Sequence, residues 1–252
     1  MGFMANALRK VTPRSLKSNT LPIRLFFRFR LRVVAYYFPR FFALNELDKA
    51  LKKYLDYRGG YFVELGANDG VSQSNTKHFE LFMGWSGVLV EPEPNNYEKC
   101  KRFRSRKSQI FNAACVSFSY EKNEVQLIYS NLMTIAVEGE SDIADREEHA
   151  KIGMQFLEPG ESNYSFSAYA RTLNSILLEA GSPTNIDLLS LDVEGAELDV
   201  LKGIDHQIFR FRFILIESRS LDTIEQFLGA LGYSLVEQLT GHDFLFRDLS
   251  GC

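Results

Sequence analysis

The sequence lacks the features that mark several specialised classes of protein. It has three cysteines among 252 residues, Cys100, Cys115 and Cys252, and no Cys-x-x-Cys pair, so neither a zinc ribbon nor a disulfide framework is indicated. No run of about 18 residues is both apolar and free of charge, and the first twenty residues lack the apolar core of a secretory signal. We therefore expect a cytoplasmic protein in a reducing compartment.

Acidic residues are missing from residues 1–45, which carry nine lysine and arginine side chains. The remainder has 20 basic against 32 acidic side chains, so a basic arm precedes an acidic body. Within the arm, residues 21–44 interleave arginine with aromatic and aliphatic residues. This pattern is typical of a helix in peripheral contact with an anionic membrane, but it also fits packing on the body or a mitochondrial presequence. Nucleic acid is disfavoured as a partner because no known reading module accompanies the basic residues.

The length suits one α/β domain over residues 46–252, because apolar segments there alternate with helical patterns, as in a parallel sheet. Core strands are predicted at Tyr61–Leu65, Gly87–Val90, Gln109–Asn112, Ile186–Leu191 and Phe213–Glu217. Helices are predicted over 72–83, 95–103, 173–180, 196–204 and 222–231. Two strand-like runs around Thr240 and Gly241 predict a terminal antiparallel hairpin.

Residues 131–165 form an insert between the third and fourth predicted strands. Eight acidic residues outnumber Arg146 and Lys151 in it, and it is too long for an ordinary connection. We expect an acidic lid or acceptor-binding element there, with an irregular solvated excursion as the alternative.

The loop after the first strand, GANDG, lacks the glycines of common nucleotide sites. Gly66 and Gly70 are present, but the third glycine of a dinucleotide fingerprint and the lysine of a P-loop are missing. Glu91 follows the second strand at the spacing of an acid that accepts both hydroxyls of a ribose. Asn112 and Ala113, after the third strand, suit the rim of an adenine pocket or an ordinary turn. An NAD-dependent oxidoreductase is one interpretation of this pattern.

Carboxylates follow the fourth and fifth strands, where parallel sheets place their ligands. Asp192 and Glu194 come directly before a helix, and Glu217 ends the strand FRFILIE. With His242 they are the candidates for a general base, and the same acids are alternatively ligands for Mg²⁺ or Ca²⁺. On the helix over 196–204 the spacing of apolar residues predicts that Asp199 points outward. We also expect His78 on a helix surface.

Five stretches taken together resemble the FkbM family of S-adenosylmethionine-dependent methyltransferases. They are FVELGANDGVSQSNT, GWSGVLVEPEP, FNAAC, IDLLSLDVEGAELDVLKGID and FILIES, and they span residues 61–218 in the family's order. The resemblance implies a Rossmann-like class I methyltransferase fold: a seven-stranded, mostly parallel sheet with an antiparallel last strand and helices on both faces. It implies S-adenosylmethionine as cofactor and a hydroxyl of a sugar, glycan, lipid-linked saccharide or other small molecule as acceptor.

The resemblance also implies which residues bind the cofactor. They are Glu64, Gly66, Asn68 and Gly70 around the amino-acid tail and ribose, Glu91 at the ribose hydroxyls, Asn112 with Ala113 at adenine, and Asp192 near the sulfonium. Ser190 stands where the family's pattern has lysine, which removes a positive charge. A non-catalytic membrane adaptor that keeps the fold is a further alternative, and the sequence does not indicate an oligomeric state.

Overall fold

Two sheets organise the part of the chain that the computed structural model describes, residues 40–157 and 159–250. The strands are β1 (Tyr61–Leu65), β2 (Ser86–Val90), β3 (Gln109–Phe111), β4 (Ala114–Cys115), β5 (Glu124–Tyr129), β6 (Ile135–Ala136), β7 (Tyr164–Arg171), β8 (Asn185–Leu191), β9 (Arg210–Glu217), β10 (Tyr233–Gln238) and β11 (Asp243–Asp248). The helices are α1 (Leu47–Leu51), α2 (Lys77–Met83), α3 (Pro94–Phe103), α4 (Arg146–Gly153), α5 (Leu173–Glu179), α6 (Glu197–Leu201) and α7 (Leu221–Ala230). Short 3-10 turns occur at Leu44–Glu46, Asn131–Met133 and Met154–Phe156.

The larger sheet has seven strands in the order β3-β2-β1-β8-β9-β11-β10. Strands β1, β2, β3, β8 and β9 run parallel to one another. Strand β11 pairs antiparallel with both β9 and β10. The last strand of the chain is thus inserted between its two predecessors with reversed direction. This confirms the predicted seven-stranded, mostly parallel sheet with an antiparallel last strand.

Helices cover both faces of this sheet, also as predicted. Alternate residues of each strand point to opposite faces, so Val63 packs on one side and Phe62 on the other. The Val63 side holds apolar residues of α5, α6 and α7, and the Phe62 side holds those of α1, α2 and α3. Burial on both faces explains why the core strands read as nearly continuous apolar runs.

Four of the five predicted helices have ends within three residues of their prediction, but the first does not. Helix α2 begins at Lys77 rather than at residue 72. The side chains of Ser74 and Thr76 instead donate hydrogen bonds to the carboxylate of Glu64, at 2.9 and 2.5 Å. Serine and threonine compete in this way with helical backbone bonds, so residues 72–76 form a loop.

The smaller sheet, in the order β4-β7-β5-β6, was not predicted. Its main pairing is antiparallel and joins Glu124 to Tyr169 and Tyr129 to Tyr164. The predicted insert at residues 131–165 supplies β6, α4 and the first residues of β7, while β4 and β5 lie before it. The insert is therefore one part of a larger layer that begins at Ala114.

The predicted basic arm falls almost wholly on residues 1–39, which lie outside the described residues. The compact unit that carries both sheets begins at Phe41. Over the described ranges, no helix is both long enough and apolar enough to cross a bilayer. Membrane contact through the arm stays a prediction.

Candidate active site

A cavity of about 360 Å³ opens at the carboxyl ends of β1, β2, β8 and β9. Its volume lies in the usual range for small-molecule sites, and this edge of the sheet is where open α/β folds bind ligands. The loops after these strands line the cavity, as do Val125 and Leu127 of β5 in the smaller sheet and Val116 and Tyr120 of the segment between β4 and β5. The predicted insert lines it as well, through residues 131–134, Ala136, residues 138–140 and Phe156, so the insert and the segment before it build this wall together.

Gly66 lets the loop after β1 approach the end of β8. Its φ is +74°, and a Cβ atom there would lie 1.9 Å from the carbonyl oxygen of Asp192. No side chain fits that space, so only glycine keeps the two strand ends together. The loop then lines the cavity with Gly66, Ala67 and Asn68, two of which were predicted to bind the cofactor.

Glu91 lines the same end of the cavity, directly after β2. Its Oε2 accepts a hydrogen bond from the backbone N–H of Asn68 at 2.7 Å, and its Oε1 accepts one from the N–H of Glu93 at 2.9 Å. Burial raises the pKa of Glu91 to about 8. Each carboxylate oxygen keeps one lone pair for a ligand, which matches the two neighbouring hydroxyls of a ribose.

Glu64 was predicted beside the cofactor, and the structure places it one layer below the cavity. Strand alternation turns it toward α2 and α3, where Arg104 Nη1 lies 3.1 Å from its Oε2. Its other contacts come from the loop at 72–76, including the N–H of Asn75 at 3.0 Å. Glu64 and Arg104 therefore fix the shape of a loop whose residues Ser72 to Asn75 line the cavity.

Asn75 is a site residue that the sequence did not reveal. It is buried, lines the cavity and donates from Nδ2 to Ser190 Oγ at 3.0 Å. Its Oδ1 has no hydrogen-bond partner within the described residues. This atom is also enclosed by protein, so Asn75 contributes to the cavity wall through the rest of its side chain. The Ser-Asn-Thr run was visible in the sequence, but it was assigned to a helix.

Two more predicted cofactor residues lie behind the cavity wall. Asn112 donates from Nδ2 to the carbonyl oxygens of Glu91 and Pro92, at 2.9 and 2.8 Å, and so holds the loop after β2. The carbonyl oxygen of Gly70 accepts a bond from Arg104 at 3.0 Å. Ala113, by contrast, lines the cavity directly.

Three carboxylates form a row across neighbouring strand ends. Leu191 pairs with Ile216, so the next residues of β8 and β9, Asp192 and Glu217, lie side by side, and Glu217 pairs with Asp243 of β11. All three carboxylates line the cavity. Burial, followed by the charges of Glu217 and then of nearby acids, raises the pKa of Asp192 well above its usual range, and burial also raises the pKa of Glu217 and Asp243.

The third predicted catalytic acid, Glu194, lies against His149 and Arg219. Its Oε2 lies 2.8 Å from His149 Nε2 and 3.7 Å from Arg219 Nη2. It has a left-handed φ of +53°, which is unfavourable for a residue with a side chain and is typical of functional sites. His149 belongs to α4, so this contact joins the insert to the end of β8.

Asp199 and His78 are buried, although the sequence predicted exposed positions for them, and His242 does not line the cavity. Asp199 is only 9% exposed because the segment after β4 covers α6, with Phe118 N donating to Lys202 O at 3.4 Å. His78 is buried and stacks on Phe41 at 4.7 Å, so its predicted surface position is wrong. His242 is exposed on the terminal hairpin, and the cavity lining does not include it.

Among the described residues, no group of three or more histidine, cysteine, aspartate or glutamate side chains has an arrangement that holds a metal ion. The acids at the strand ends are instead paired with each other, with Arg219 or with backbone N–H groups. The metal alternative rests on the sequence alone.

Several solved structures resemble this chain at low identity. Precorrin-6y C5,15-methyltransferase from Geobacter metallireducens is 12% identical, covers 84% of this chain and all of its own, and has a TM-score of 0.42. A methyltransferase from Pyrococcus furiosus is 13% identical, with 89% and 97% coverage and a TM-score of 0.37. An S-adenosylmethionine-dependent methyltransferase from Thiobacillus denitrificans, in complex with S-adenosylhomocysteine, is 12% identical, with 83% and 72% coverage and a TM-score of 0.36. At this level of similarity none of them bears on the substrate.

The sequence itself gives a stronger comparison. No curated protein matches the chain. The model of the methyltransferase FkbM domain matches residues 64–235, more than half of the chain, and covers the loops after β1, β2, β8 and β9 with two acids of the row, Asp192 and Glu217. This match removes the NAD-dependent oxidoreductase interpretation. The chain therefore belongs to the FkbM methyltransferase family and is an S-adenosylmethionine-dependent methyltransferase.

Proposed function

We propose that the protein is an O-methyltransferase that acts on a hydroxyl of a saccharide, either free, in a glycan or linked to a lipid. The observation that carries the proposal is the row of Asp192, Glu217 and Asp243 in the cavity wall, with pKa values raised by burial. A hydroxyl has to lose its proton when it is methylated, and a carboxylate is a competent base only when its pKa is raised.

The residues at the other end of the cavity fit S-adenosylmethionine. Glu91 has one free lone pair on each oxygen for the ribose hydroxyls. Gly66, Asn68 and Ala113 complete this wall without bulky side chains. Glu64, Gly70 and Asn112 act from behind by fixing the loops. No charged lysine or arginine is needed here because the ligand has no phosphates to neutralise.

When bound, S-adenosylmethionine supplies a methyl group already activated by the sulfonium. The transfer would exchange the bond from sulfur to the methyl carbon for a bond from the acceptor oxygen to that carbon. Asp192, which lies beside Glu217, accepts the proton of the acceptor hydroxyl. Burial beneath the smaller sheet excludes water and orients the acceptor oxygen, an effect worth several kcal/mol in comparable reactions.

The shape of the acceptor half supports a sugar ring. Val125, Leu127 and Tyr120 form an apolar wall, and the carboxylates of the strand ends face it across the cavity. A pyranose has the same division, with an apolar face of C–H groups and an edge of hydroxyls. Carboxylate oxygens accept hydrogen bonds from hydroxyls more strongly than neutral groups do.

Methyl transfer from radiolabelled S-adenosylmethionine to a panel of saccharides tests the proposal. We expect the rate of the wild-type protein to rise with pH as the catalytic carboxyl ionises. Asp192→Asn should lower the rate by about 10² to 10⁴, with unchanged affinity for S-adenosylhomocysteine. Glu225→Gln, which alters an exposed carboxylate of α7, is the matched control. Methylation on nitrogen, or full activity of Asp192→Asn, would refute the assigned chemistry.

A further inference from the structure

Asp199 has a feature that the proposed chemistry does not use. Its side chain lines the cavity, and the residue is 9% exposed. Over the part of the chain that the structure describes, no hydrogen bond or ion pair engages its carboxylate, whereas Asp192, the other cavity acid without a nitrogen or hydroxyl donor, is paired with Glu217. Its oxygens are nevertheless open to the cavity, because they are not among the enclosed polar atoms.

Such a carboxylate needs a partner. Buried charges in proteins are paired almost without exception, since removing an isolated carboxylate from water costs several kcal/mol. The nearby lysines do not fill this role. Lys202 lies 2.6 Å from Glu140, and Lys122 is paired with Glu138, so both are already engaged at the rim. Within the described residues no cation is left for Asp199, so a ligand that fills the cavity and displaces its water would have to supply one.

The surrounding charges select a cationic ligand. Within the described residues, the cavity lining includes eight carboxylates and a single basic side chain, Arg219, which lies near Glu194 and Glu217. An anionic acceptor would be repelled by this field, and a neutral hydroxyl would leave the charge of Asp199 uncompensated. The ring of Tyr120 lines the cavity beside Asp199, whose charge contributes, after burial and Glu138, to the raised pKa of the Tyr120 hydroxyl. Aromatic rings attract ammonium groups on their faces.

We propose that Asp199 binds a protonated amine of the acceptor, so that the substrate is an amino-substituted saccharide. This inference rests on the proposed O-methylation and adds the charge of the acceptor to it. The amine forms an ion pair with Asp199 and packs near Tyr120, while a hydroxyl of the same sugar faces the acid row at Asp192. Asp199 is thereby a specificity residue and takes no part in the proton transfer.

Calorimetry on the full chain saturated with S-adenosylhomocysteine tests this assignment. Three methyl glycosides of matched size serve as probes: that of glucosamine, that of N-acetylglucosamine and that of glucuronic acid. The pH is set below the pKa of the amine. We expect the glucosamine probe to bind at least about tenfold more tightly than the N-acetyl probe, and the glucuronide to bind most weakly.

Asp199→Asn keeps the size of the side chain and removes its charge. We expect the preference for the amine to fall below about twofold in this variant and to persist in the Glu225→Gln control. Affinity for S-adenosylhomocysteine shows whether the variant is folded. The order in which the wild-type protein binds the three probes tests the inference even if the variant does not fold.

Three results would overturn the inference: equal binding of the amine and N-acetyl probes, a preference that survives Asp199→Asn, or no binding of any probe to the loaded protein. Failure to bind S-adenosylhomocysteine at all would instead overturn the proposed function, and this inference with it. The two failures are therefore distinguishable.

Discussion

Replacement of Glu91 by glutamine gives a direct measure of the cofactor end of the cavity. Glutamine keeps one acceptor oxygen and turns an NH₂ group toward one of the two backbone N–H donors, at Asn68 or Glu93, that now bind the carboxylate. Its NH₂ group also replaces one of the two acceptor oxygens offered to the ribose hydroxyls, so the complex loses a hydrogen bond to a charged acceptor, which is worth about 1.5–3 kcal/mol. We expect S-adenosylhomocysteine to bind about ten- to one-hundredfold more weakly.

The pH dependence of binding makes this prediction more specific. Burial raises the pKa of Glu91 to about 8 in the ligand-free protein, so the carboxyl is mostly protonated at pH 6. Hydroxyl donors favour the ionised form, and ligand binding thus competes with the proton. The affinity of the wild-type protein should rise by up to about tenfold per pH unit below pH 8 and level off above it. Glu91→Gln has no such proton and should show a flat profile.

Calorimetry from pH 6 to pH 9 compares the wild-type protein, Glu91→Gln and Glu98→Gln. Glu98 is an exposed residue of α3 paired with Lys101 at 2.9 Å, so its variant controls for a lost surface charge. We expect the control to keep both the affinity and the slope. If Glu91→Gln bound as tightly as the wild-type protein and with the same slope, the assignment of Glu91 to the ribose hydroxyls would be wrong.

Three further outcomes are expected. Gly66→Ala places a Cβ atom 1.9 Å from the carbonyl oxygen of Asp192, so denaturant titration should show a loss of several kcal/mol, whereas Gly241→Ala, whose Cβ meets nothing within 4 Å, should be neutral. The ligand-free protein should melt at lower temperature as pH rises from about 5 to 8, because the folded pKa of Glu91 exceeds its unfolded value of 4.5 and the folded state then binds the extra proton; a rising melting temperature would contradict this. Deletion of residues 1–39 should abolish flotation with anionic vesicles if the basic arm contacts membranes, and unchanged flotation would exclude it.

The core of the fold could be predicted because its signals are local. Strand β1 has its predicted ends, and β8 and β9 begin within three residues of theirs, since a strand buried on both faces is a short apolar run between turns. The smaller sheet was missed although EVQLIY and YSFSAYAR both alternate in polarity. Their pairing joins residues about 40 positions apart, and the acidic residues between the two segments favoured the prediction of a single insert.

The site shows a different limit. Glu64, Glu91 and Asp192 are acids at or just beyond a strand of the large sheet, and Asp199 lies in α6, the helix that follows β8. The sequence distinguishes these acids only by position. In the structure Glu64 pairs with the buried Arg104, Glu91 accepts two backbone N–H groups, and Asp192 lies against Glu217. Asp199 has no partner within the described residues.

These partners decide the chemistry of each acid. A guanidinium makes a carboxylate structural, N–H groups orient it toward hydroxyl donors, and a second carboxylate raises its pKa so that it accepts a proton. Most of these partners lie far away in the chain, although Glu93 follows Glu91 by only two residues. Arg104 follows Glu64 by 40 residues, and Glu217 follows Asp192 by 25, so no window of sequence contains both members. The role of each acid is thus set by its partner in the tertiary structure. Asp199 has no partner within the described residues, and a ligand is the partner that we propose for it.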